Sequence, residues 1–323
     1  MYAIMDGMHT NVTLSLKGNT EIGEAGIDKI FQCVMNDYPE LFFVKGYTYT
    51  VYTHGQKISK ISFSGTYTMT AEERMEKQAL IDGAMETALA GIPAEASDYE
   101  KVKYVYEYVI KSTDYNMDAP DNQNICSVFI GGESVCQGYA KAAQYMLERL
   151  GIPATLVVGT VYETESHAWN LVFADDEWYY LDTTWGDASY RMAEGAEAAG
   201  VQLPTINYDY LCVTTEQLLK THSIESVVEL PVCESMDNNY YVREGAYFTA
   251  YDETALRAFF EKNAESGKTE VTIQCADGAV FDMFLQELIT NQKIFRFLSS
   301  PDGTVAYTTD SDKFSMTFWL VNE

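Results

Sequence analysis

The chain has little positive charge. Lysine and arginine together number 21, against 48 aspartate and glutamate residues, which gives a net charge of −27 over 323 residues. A surface with this balance repels phosphate backbones and anionic lipid. The composition therefore argues against a protein that binds nucleic acid or an anionic membrane surface, and it favours partners that carry positive charge.

Long apolar runs are missing as well. No stretch approaches the roughly 18 consecutive apolar residues that a membrane-spanning helix needs, so we expect no membrane insertion. Residues 1–12 lack the charged and apolar regions of a signal peptide. Two locations stay open at this point: the protein is cytoplasmic, or it is extracellular or at the cell surface and follows a removed leader.

The cysteines form no Cys-x-x-Cys pair of the kind that zinc sites and redox disulfides use. They stand at positions 33, 126, 136, 212, 233 and 275. Most are expected to be small buried side chains, although their even number leaves disulfides open. His9, His54 and His222 have no partners at ligand spacing, and the acidic stretches 118–121 and 310–312 lack the pattern of a calcium loop. The sequence predicts no metal and no other cofactor.

Apolar and aromatic residues are plentiful. They make up 47% and 13% of the chain, which is far too much for a disordered acidic protein. The length allows two or three domains. Changes in periodicity predict a mixed α/β unit at 1–92, a core at 93–235 and a small α/β domain at 236–323.

Local signals place several elements. Thr70 and Ser97 each precede a glutamate by three residues, which is the capping-box spacing of a helix start. Helical spacing resumes over 135–150, and strands are predicted at 154–162, 166–174 and 177–183.

Cys136 lies at the start of the 135–150 helix. Ser134 is the predicted N-cap, with Gln137 three residues on, so the cysteine falls in the first helical turn. Unpaired N–H groups and the positive end of the helix dipole stabilise a thiolate there. Gly131, Gly132 and Gly138 leave room for a substrate to approach. A cysteine that only packs in the core remains the alternative.

A hairpin is predicted around Asp175-Asp176. If these residues form its turn, Trp169 opposes Asp182 and His167 lies diagonally across from the same aspartate, within reach of a side-chain hydrogen bond. A carboxylate that orients an imidazole is what a thiol nucleophile requires. A histidine with a purely structural partner is the competing interpretation.

Four segments in this order resemble the transglutaminase-like superfamily in its bacterial branch. They are GESVCQGYA (132–140), LGIP (150–153), HAWN (167–170) and WYYLDTTW (178–185), and the resemblance covers about residues 96–190. It implies an α+β fold with a papain-like core, in which a helix that bears the cysteine packs on a small antiparallel sheet. It also implies that Cys136 is the nucleophile, His167 the base and Asp182 the orienting acid.

Further site residues follow with less support. The backbone N–H of Cys136 and the side chains of Tyr115 and Gln123 are candidates for an oxyanion hole, Tyr115 because its position resembles a tyrosine that precedes the cysteine in relatives. Trp169 and Trp185 either wall a substrate channel or belong to the core.

Two functions are compatible with these residues. The first is thiol-dependent acyl transfer or hydrolysis on amide bonds of a protein or peptide, through a thioester on Cys136, with hydrolysis favoured over cross-linking. The second is a catalytically silent surface module that binds another protein. The charge of −27 makes a basic peptide a reasonable substrate. The sequence does not indicate an oligomeric state.

Overall fold

The computed structural model describes residues 1–15, 23–54, 57–188, 190, 204–298 and 304–320. Contacts divide the chain into two compact units. The first comprises Met1–Asp176, Asp182–Thr184 and His222–Pro231, and the second comprises Glu177–Leu181, Trp185–Thr221 and Val232–Glu323. The three-part division drawn from the sequence stays a prediction.

Helices and strands alternate along the described chain. The helices are α1 (Tyr2–Asp6), α2 (Glu24–Asp37), α3 (Ala71–Leu89), α4 (Asp98–Ser112), α5 (Cys136–Arg149), α6 (Thr183–Gly186), α7 (Thr215–Leu218), α8 (Tyr240–Glu244), α9 (Glu253–Glu265) and α10 (Gly278–Phe284). Single π-helical turns cover Ser127–Gly131 and Leu285–Thr290, and a 3₁₀ turn covers Lys293–Arg296.

The strands are β1 (Val12–Ser15), β2 (Val44–His54), β3 (Lys57–Tyr67), β4 (Asp114–Tyr115), β5 (Glu133–Ser134), β6 (Ala154–Val161), β7 (Glu165–Ala174), β8 (Glu177–Leu181), β9 (Leu211–Val213), β10 (His222–Ile224), β11 (Tyr247–Phe248), β12 (Glu270–Cys275), β13 (Tyr307–Asp310) and β14 (Ser315–Trp319). The fold is α+β, as predicted.

The first unit holds two antiparallel sheets. Strands β1 and β2 both pair with β3 in the first of them. In the second, β6 lies between β10 and β7, with His222 opposite Val161 and His167 opposite Gly159. A short parallel pair, β4 with β5, sets Tyr115 beside Ser134.

Helix α5 is the central helix of this unit. Every residue from Gly138 to Leu147 is buried, so the helix is enclosed on all sides rather than along one stripe. Ala140 packs against Leu156 of β6 and Ala168 of β7, with Cys136 half-buried at the same contact. Asn170 of β7 donates a hydrogen bond to the Ala140 carbonyl oxygen at 3.0 Å. This packing of a cysteine-bearing helix on antiparallel strands is the papain-like core.

Helix boundaries follow their local signals. Both predicted capping boxes form, at Thr70 with Glu73 and at Ser97 with Glu100. Gly151, at φ 79°, follows the end of α5 in the left-handed conformation that glycine adopts without steric cost. No helix in the described part of the chain is both long and apolar enough to cross a membrane.

The second unit is built on a four-stranded sheet in the order β11-β12-β14-β13, in which β11 runs parallel to β12 and the other pairs are antiparallel. Strand β8 pairs with β9 in the same unit. Aromatic side chains fill the core beside the sheet: Phe260 packs edge-on against Phe318, and Phe248 against Phe284.

Candidate active site

Cys136 is the first residue of α5. The N-cap is Val135, in an extended conformation and without a side-chain cap, so the prediction that Ser134 caps the helix is wrong by one residue. The Ser134 hydroxyl is engaged elsewhere: it lies 2.7 Å from the Ser127 hydroxyl and donates to the Asn122 carbonyl oxygen at 3.0 Å. The first amides of a helix have no acceptor within the helix, so the thiol stands beside free N–H groups.

Gly138 allows the preceding loop to reach this helix start. A Cβ atom at position 138 would stand 1.9 Å from the Ser134 hydroxyl and 2.8 Å from the backbone oxygen of Asn122. Substrate access is the role predicted for Gly138 from the sequence. The residue is buried, and its lack of a side chain serves the packing of the loop instead.

His167 lies on β7 in a closed environment. Its side chain is 2% exposed. Gly159 faces it across the strand pair, and a Cβ there would stand 2.8 Å from the Trp169 ring and 2.0 Å from the Ser223 carbonyl oxygen. Glycine at this position therefore lets β10 and the Trp169 ring approach β6 together.

Asp182 is buried between β8 and α6, and its carboxylate is hydrogen-bonded on both oxygens. Oδ2 lies 2.7 Å from Nε2 of His167. Oδ1 accepts the backbone N–H of Thr184 at 3.0 Å, the contact that a helix-capping aspartate makes. The predicted turn is present at Asp175 and Asp176, at φ 52° and 65°, values that suit a tight hairpin turn. The predicted strand 177–183 ends at Leu181, so Asp182 belongs to the cap of α6.

His222 also contacts this carboxylate, and sequence reasoning missed it. Its Nε2 lies 3.1 Å from Oδ2 of Asp182, and its side chain is fully buried. The expectation that His222 has no partners at ligand spacing is therefore wrong in three dimensions. No local sequence pattern indicates this contact, because His222 is a lone histidine in a three-residue strand. The pairing of β10 with β6 brings residue 222 near residue 182.

The charges of this cluster stabilise one another. Burial of the His167 imidazole lowers its pKa, but the Asp182 carboxylate and the Cys136 side chain, both hydrogen-bonded to it, outweigh burial and raise the pKa well above its usual value. Burial acts in the opposite sense on Asp182, and the two imidazoles hold the pKa of this carboxyl well below its usual range. The arrangement favours a proton on the imidazole, which lies between the Asp182 carboxylate and the Cys136 sulfur.

The same three side chains could bind a metal ion in principle, because the ligand atoms of His167, Asp182 and His222 all lie within 4.8 Å of one another. In the structure the nitrogen-to-oxygen separations of 2.7 and 3.1 Å are those of hydrogen bonds.

The two oxyanion candidates lie beside residues near the start of α5. Tyr115 is half-buried in β4, adjacent to Ser134, and its ring centroid lies 6.4 Å from that of Tyr139. The backbone oxygen of Gln123 accepts a hydrogen bond from Nε2 of Gln137 at 3.2 Å, while the Gln123 side chain is exposed. Both assignments stay predictions.

The two tryptophans predicted as channel or core residues are both buried. Trp169 is 0% exposed and stacks on His167, with ring centroids 5.9 Å apart. Trp185, in the second unit, is 8% exposed and packs edge-on against Tyr210. Their burial favours the alternative that both rings belong to the core, and the channel role stays a prediction.

Comparison with known proteins adds an independent observation. Residues 87–183 match the family model of the transglutaminase-like superfamily. No curated protein matches the chain. Among solved structures, a crystal structure of a TGase is similar at 18% identity and a TM-score of 0.31, over 54% of this chain and 50% of that one.

The periplasmic domain of TgpA from Pseudomonas aeruginosa is similar at 16% identity and a TM-score of 0.29, over 48% of this chain and 68% of that one. The chain thus spans half the length of the TGase. The segment matched by the family model contains the cysteine, the histidine and the aspartate described above. Residues 87–183 of this chain form a domain of the transglutaminase-like superfamily.

Proposed function

We propose that the protein is a thiol-dependent acyl-transfer enzyme that acts on amide bonds of proteins or peptides. The observation that carries the proposal is the buried pair of His167 and Asp182, with 2.7 Å between Nε2 and Oδ2, and the hydrogen bond of His167 to the half-buried Cys136 side chain. A thiol at a helix start, next to an imidazole that a carboxylate orients, is the arrangement that nucleophilic catalysis by cysteine needs.

The proposed reaction has two stages. His167 takes up the proton of the Cys136 thiol, the sulfur attacks the carbonyl carbon, and the negative charge develops on the carbonyl oxygen. The tetrahedral intermediate then collapses: the carbon–nitrogen bond breaks, His167 gives its proton to the leaving amine, and a thioester remains on Cys136. Asp182 keeps the imidazole in the orientation and tautomer that this transfer needs, without exchanging protons itself.

Water or a second amine resolves the thioester. His167 takes a proton from the attacking molecule, and the sulfur leaves as thiolate, so that water yields a carboxylic acid and an amine yields a new amide. We favour hydrolysis, because water is always present and no residue identifies an amine-binding site. The net charge of −27 supports a lysine- or arginine-containing substrate, because it attracts cationic peptides toward the surface.

A peptide library of acyl donors, with and without an added amine, tests the reaction. We expect release of a free acid that is lost in Cys136→Ala and kept in Cys275→Ala, whose thiol is buried in the second unit. Brief iodoacetamide treatment followed by mass-spectrometric mapping should find the label at Cys136. Equal labelling of all six cysteines, or turnover that survives Cys136→Ala, contradicts the proposal. A folded protein that binds peptides without turnover would support the silent binding module instead.

A further inference from the structure

His222 reaches the site through an unusually close strand contact. Strand β10 pairs with the edge of β6, with Ile224 opposite Gly159. Because Gly159 has no side chain, the Ser223 carbonyl lies where a Cβ atom would otherwise stand, 2.0 Å from the ideal position of that atom. The backbone of β10 is thus held near enough for His222, the residue before Ser223, to extend into the buried cluster.

The His222 ring is fixed from several sides. Its side chain is 0% exposed, and its centroid lies 4.9 Å from the Trp169 ring, edge to face, and 5.5 Å from the His167 ring. Packing of this kind permits few alternative rotamers. The ring therefore presents Nε2 to Asp182 in a defined direction.

Asp182 depends on its hydrogen-bond donors. It is 1% exposed, and a buried carboxylate without donors costs several kcal/mol. Oδ2 accepts from both imidazoles, while Oδ1 accepts from Thr184. Without His222, Oδ2 still contacts His167, but His167 must itself move protons during catalysis. The carboxylate then lacks the imidazole donor, His222, that takes no part in the proposed proton transfers.

We propose that His222 is a positioning residue of the active site: its Nε2–H holds the Asp182 carboxylate in the orientation that aligns His167 with Cys136. The inference rests on the proposed function, since it assigns His222 a role in the reactivity of the same thiol. It extends the Cys-His-Asp arrangement by a second histidine, which acts through the acid.

Two variants at position 222 distinguish the effect of losing the hydrogen bond from the effect of losing the aromatic ring. His222→Phe keeps an aromatic ring against Trp169 and removes the N–H. His222→Gln places an amide N–H near the position of Nε2. Loss of a hydrogen bond to a charged group corresponds to about a tenfold effect. We expect the second-order rate of iodoacetamide alkylation at Cys136, and kcat on any acyl donor found, to fall about tenfold in His222→Phe with KM unchanged, and to recover in His222→Gln.

Val161→Ala is the matched control, because Val161 lies directly opposite His222 in the strand pair and offers no polar atom. It should lower the free energy of unfolding without changing the alkylation rate. Should His222→Phe fail to fold, His222→Asn replaces it, since its shorter side chain holds the amide away from Oδ2 and should show the same loss.

Proton NMR distinguishes failure of this inference from failure of the proposed function. Hydrogen-bonded ring N–H protons give low-field signals, and we expect two such signals that both depend on Asp182, one of them absent in His222→Phe. Wild-type alkylation rates in a folded His222→Phe protein, an equal loss in His222→Gln, or a His222 signal that Asp182→Asn leaves unchanged would overturn the role of His222. A wild-type Cys136 that reacts no faster than Cys33 would overturn the proposed function, and the NMR signals would still test the contact.

Discussion

Two regions of the chain bury charged side chains and surround them differently. In the site, the partners of Asp182 include two imidazoles, and one of these also contacts a thiol. In the second unit, Asp209 accepts a hydrogen bond from the Tyr241 hydroxyl at 2.6 Å, and the Ser315 hydroxyl lies 3.5 Å from its other oxygen. Burial of a charge thus does not by itself mark an active site, because hydroxyl donors offer a carboxylate no proton that moves near neutral pH.

The cysteines of the two regions differ in the same way. Cys136 is half-buried at a helix start, whereas Cys275 ends strand β12, where burial raises the pKa of its thiol to about 12. Burial likewise raises the pKa of Cys233 to about 11. These thiols stay protonated at neutral pH and behave as small apolar side chains.

The largest difference between the two regions should appear when each buried aspartate is replaced by asparagine. Asp182→Asn removes the negative charge that stabilises the protonated imidazole. The amide can also turn its NH2 group, a donor, toward His167 in place of an acceptor. We therefore expect turnover to fall by about ten-thousand-fold in a folded protein. Asp209→Asn is the matched change in the second unit, and it should alter unfolding but not turnover. Steady-state kinetics and circular dichroism measure both. Near-normal turnover of folded Asp182→Asn would remove this residue from the mechanism.

Alanine at two helix-start glycines gives the next largest contrast. Gly138→Ala forces a Cβ into the Ser134 hydroxyl and the Asn122 backbone, and we expect it to lower the free energy of unfolding by about 3 kcal/mol. Gly278→Ala meets only the Phe314 ring at 3.4 Å, and should leave stability unchanged or raise it by up to about 1 kcal/mol through helix propensity. Urea unfolding measures both. Equal changes in the free energy of unfolding would show that the loop before Cys136 can shift to accommodate a Cβ atom at little cost.

The two units also each contain a buried lysine. Burial lowers the pKa of both Lys141 and Lys313 to about 8. Lys313 donates to the Gln217 carbonyl oxygen at 3.2 Å and lies over the Tyr210 ring, whereas in the described part of the chain Lys141 has no hydrogen-bond or ion-pair partner.

Methionine at these positions should therefore act unequally. Since the folded-state pKa of Lys141 lies below its unfolded value, its ammonium costs stability at pH 7, and Lys141→Met should raise the free energy of unfolding by about 1–3 kcal/mol. Lys313→Met relieves a similar cost but also removes a hydrogen bond and a cation–π contact, so its gain should be smaller. Denaturant midpoints at pH 7 compare the two variants, and equal gains would contradict the assignment of partners.

The smallest effect is a pH dependence of stability. The pKa of His167 is raised to about 10 in the folded protein, against its usual value near 6.5. The stabilisation that protonated His167 adds to the free energy of unfolding is therefore complete below pH 6.5. It declines as the pH rises toward 10, because the unfolded chain loses the proton first. Between pH 6.5 and 7.5 the free energy of unfolding of the wild type should fall by up to about 1.4 kcal/mol more than that of His167→Gln. Parallel unfolding curves for the two proteins would contradict this.

Local signals predicted local structure well. The capping boxes at Thr70 and Ser97 each need only residues within one helical turn, and both form. The turn at Asp175-Asp176 is equally local. Cys136 lies in the first turn as predicted, although the cap moved from Ser134 to Val135, because the serine hydroxyl bonds to the preceding loop rather than to the helix.

Features that depend on distant pairing could not be predicted in the same way. His222 lies 40 residues beyond Asp182 in a segment without periodicity, and only the register of β10 on β6 brings the two together. The enclosure of Trp169 likewise depends on that strand, whose His222 ring packs against it. Strand alternation predicts which residues share a face, but not whether a further element covers that face.

The position of His222 in the chain has a consequence for the order in which the site is completed. The contact between Asp182 and His222 joins residues that are 40 positions apart, whereas His167 and Asp182 are separated by only 15. During synthesis from the N-terminus, Cys136, His167 and Asp182 emerge well before the residue that supplies the second imidazole, and loops of larger span close more slowly. A nascent or truncated chain that ends before residue 222 would thus hold the three reactive side chains while Asp182 still lacked one donor, so its thiol should become fully reactive only after β10 docks.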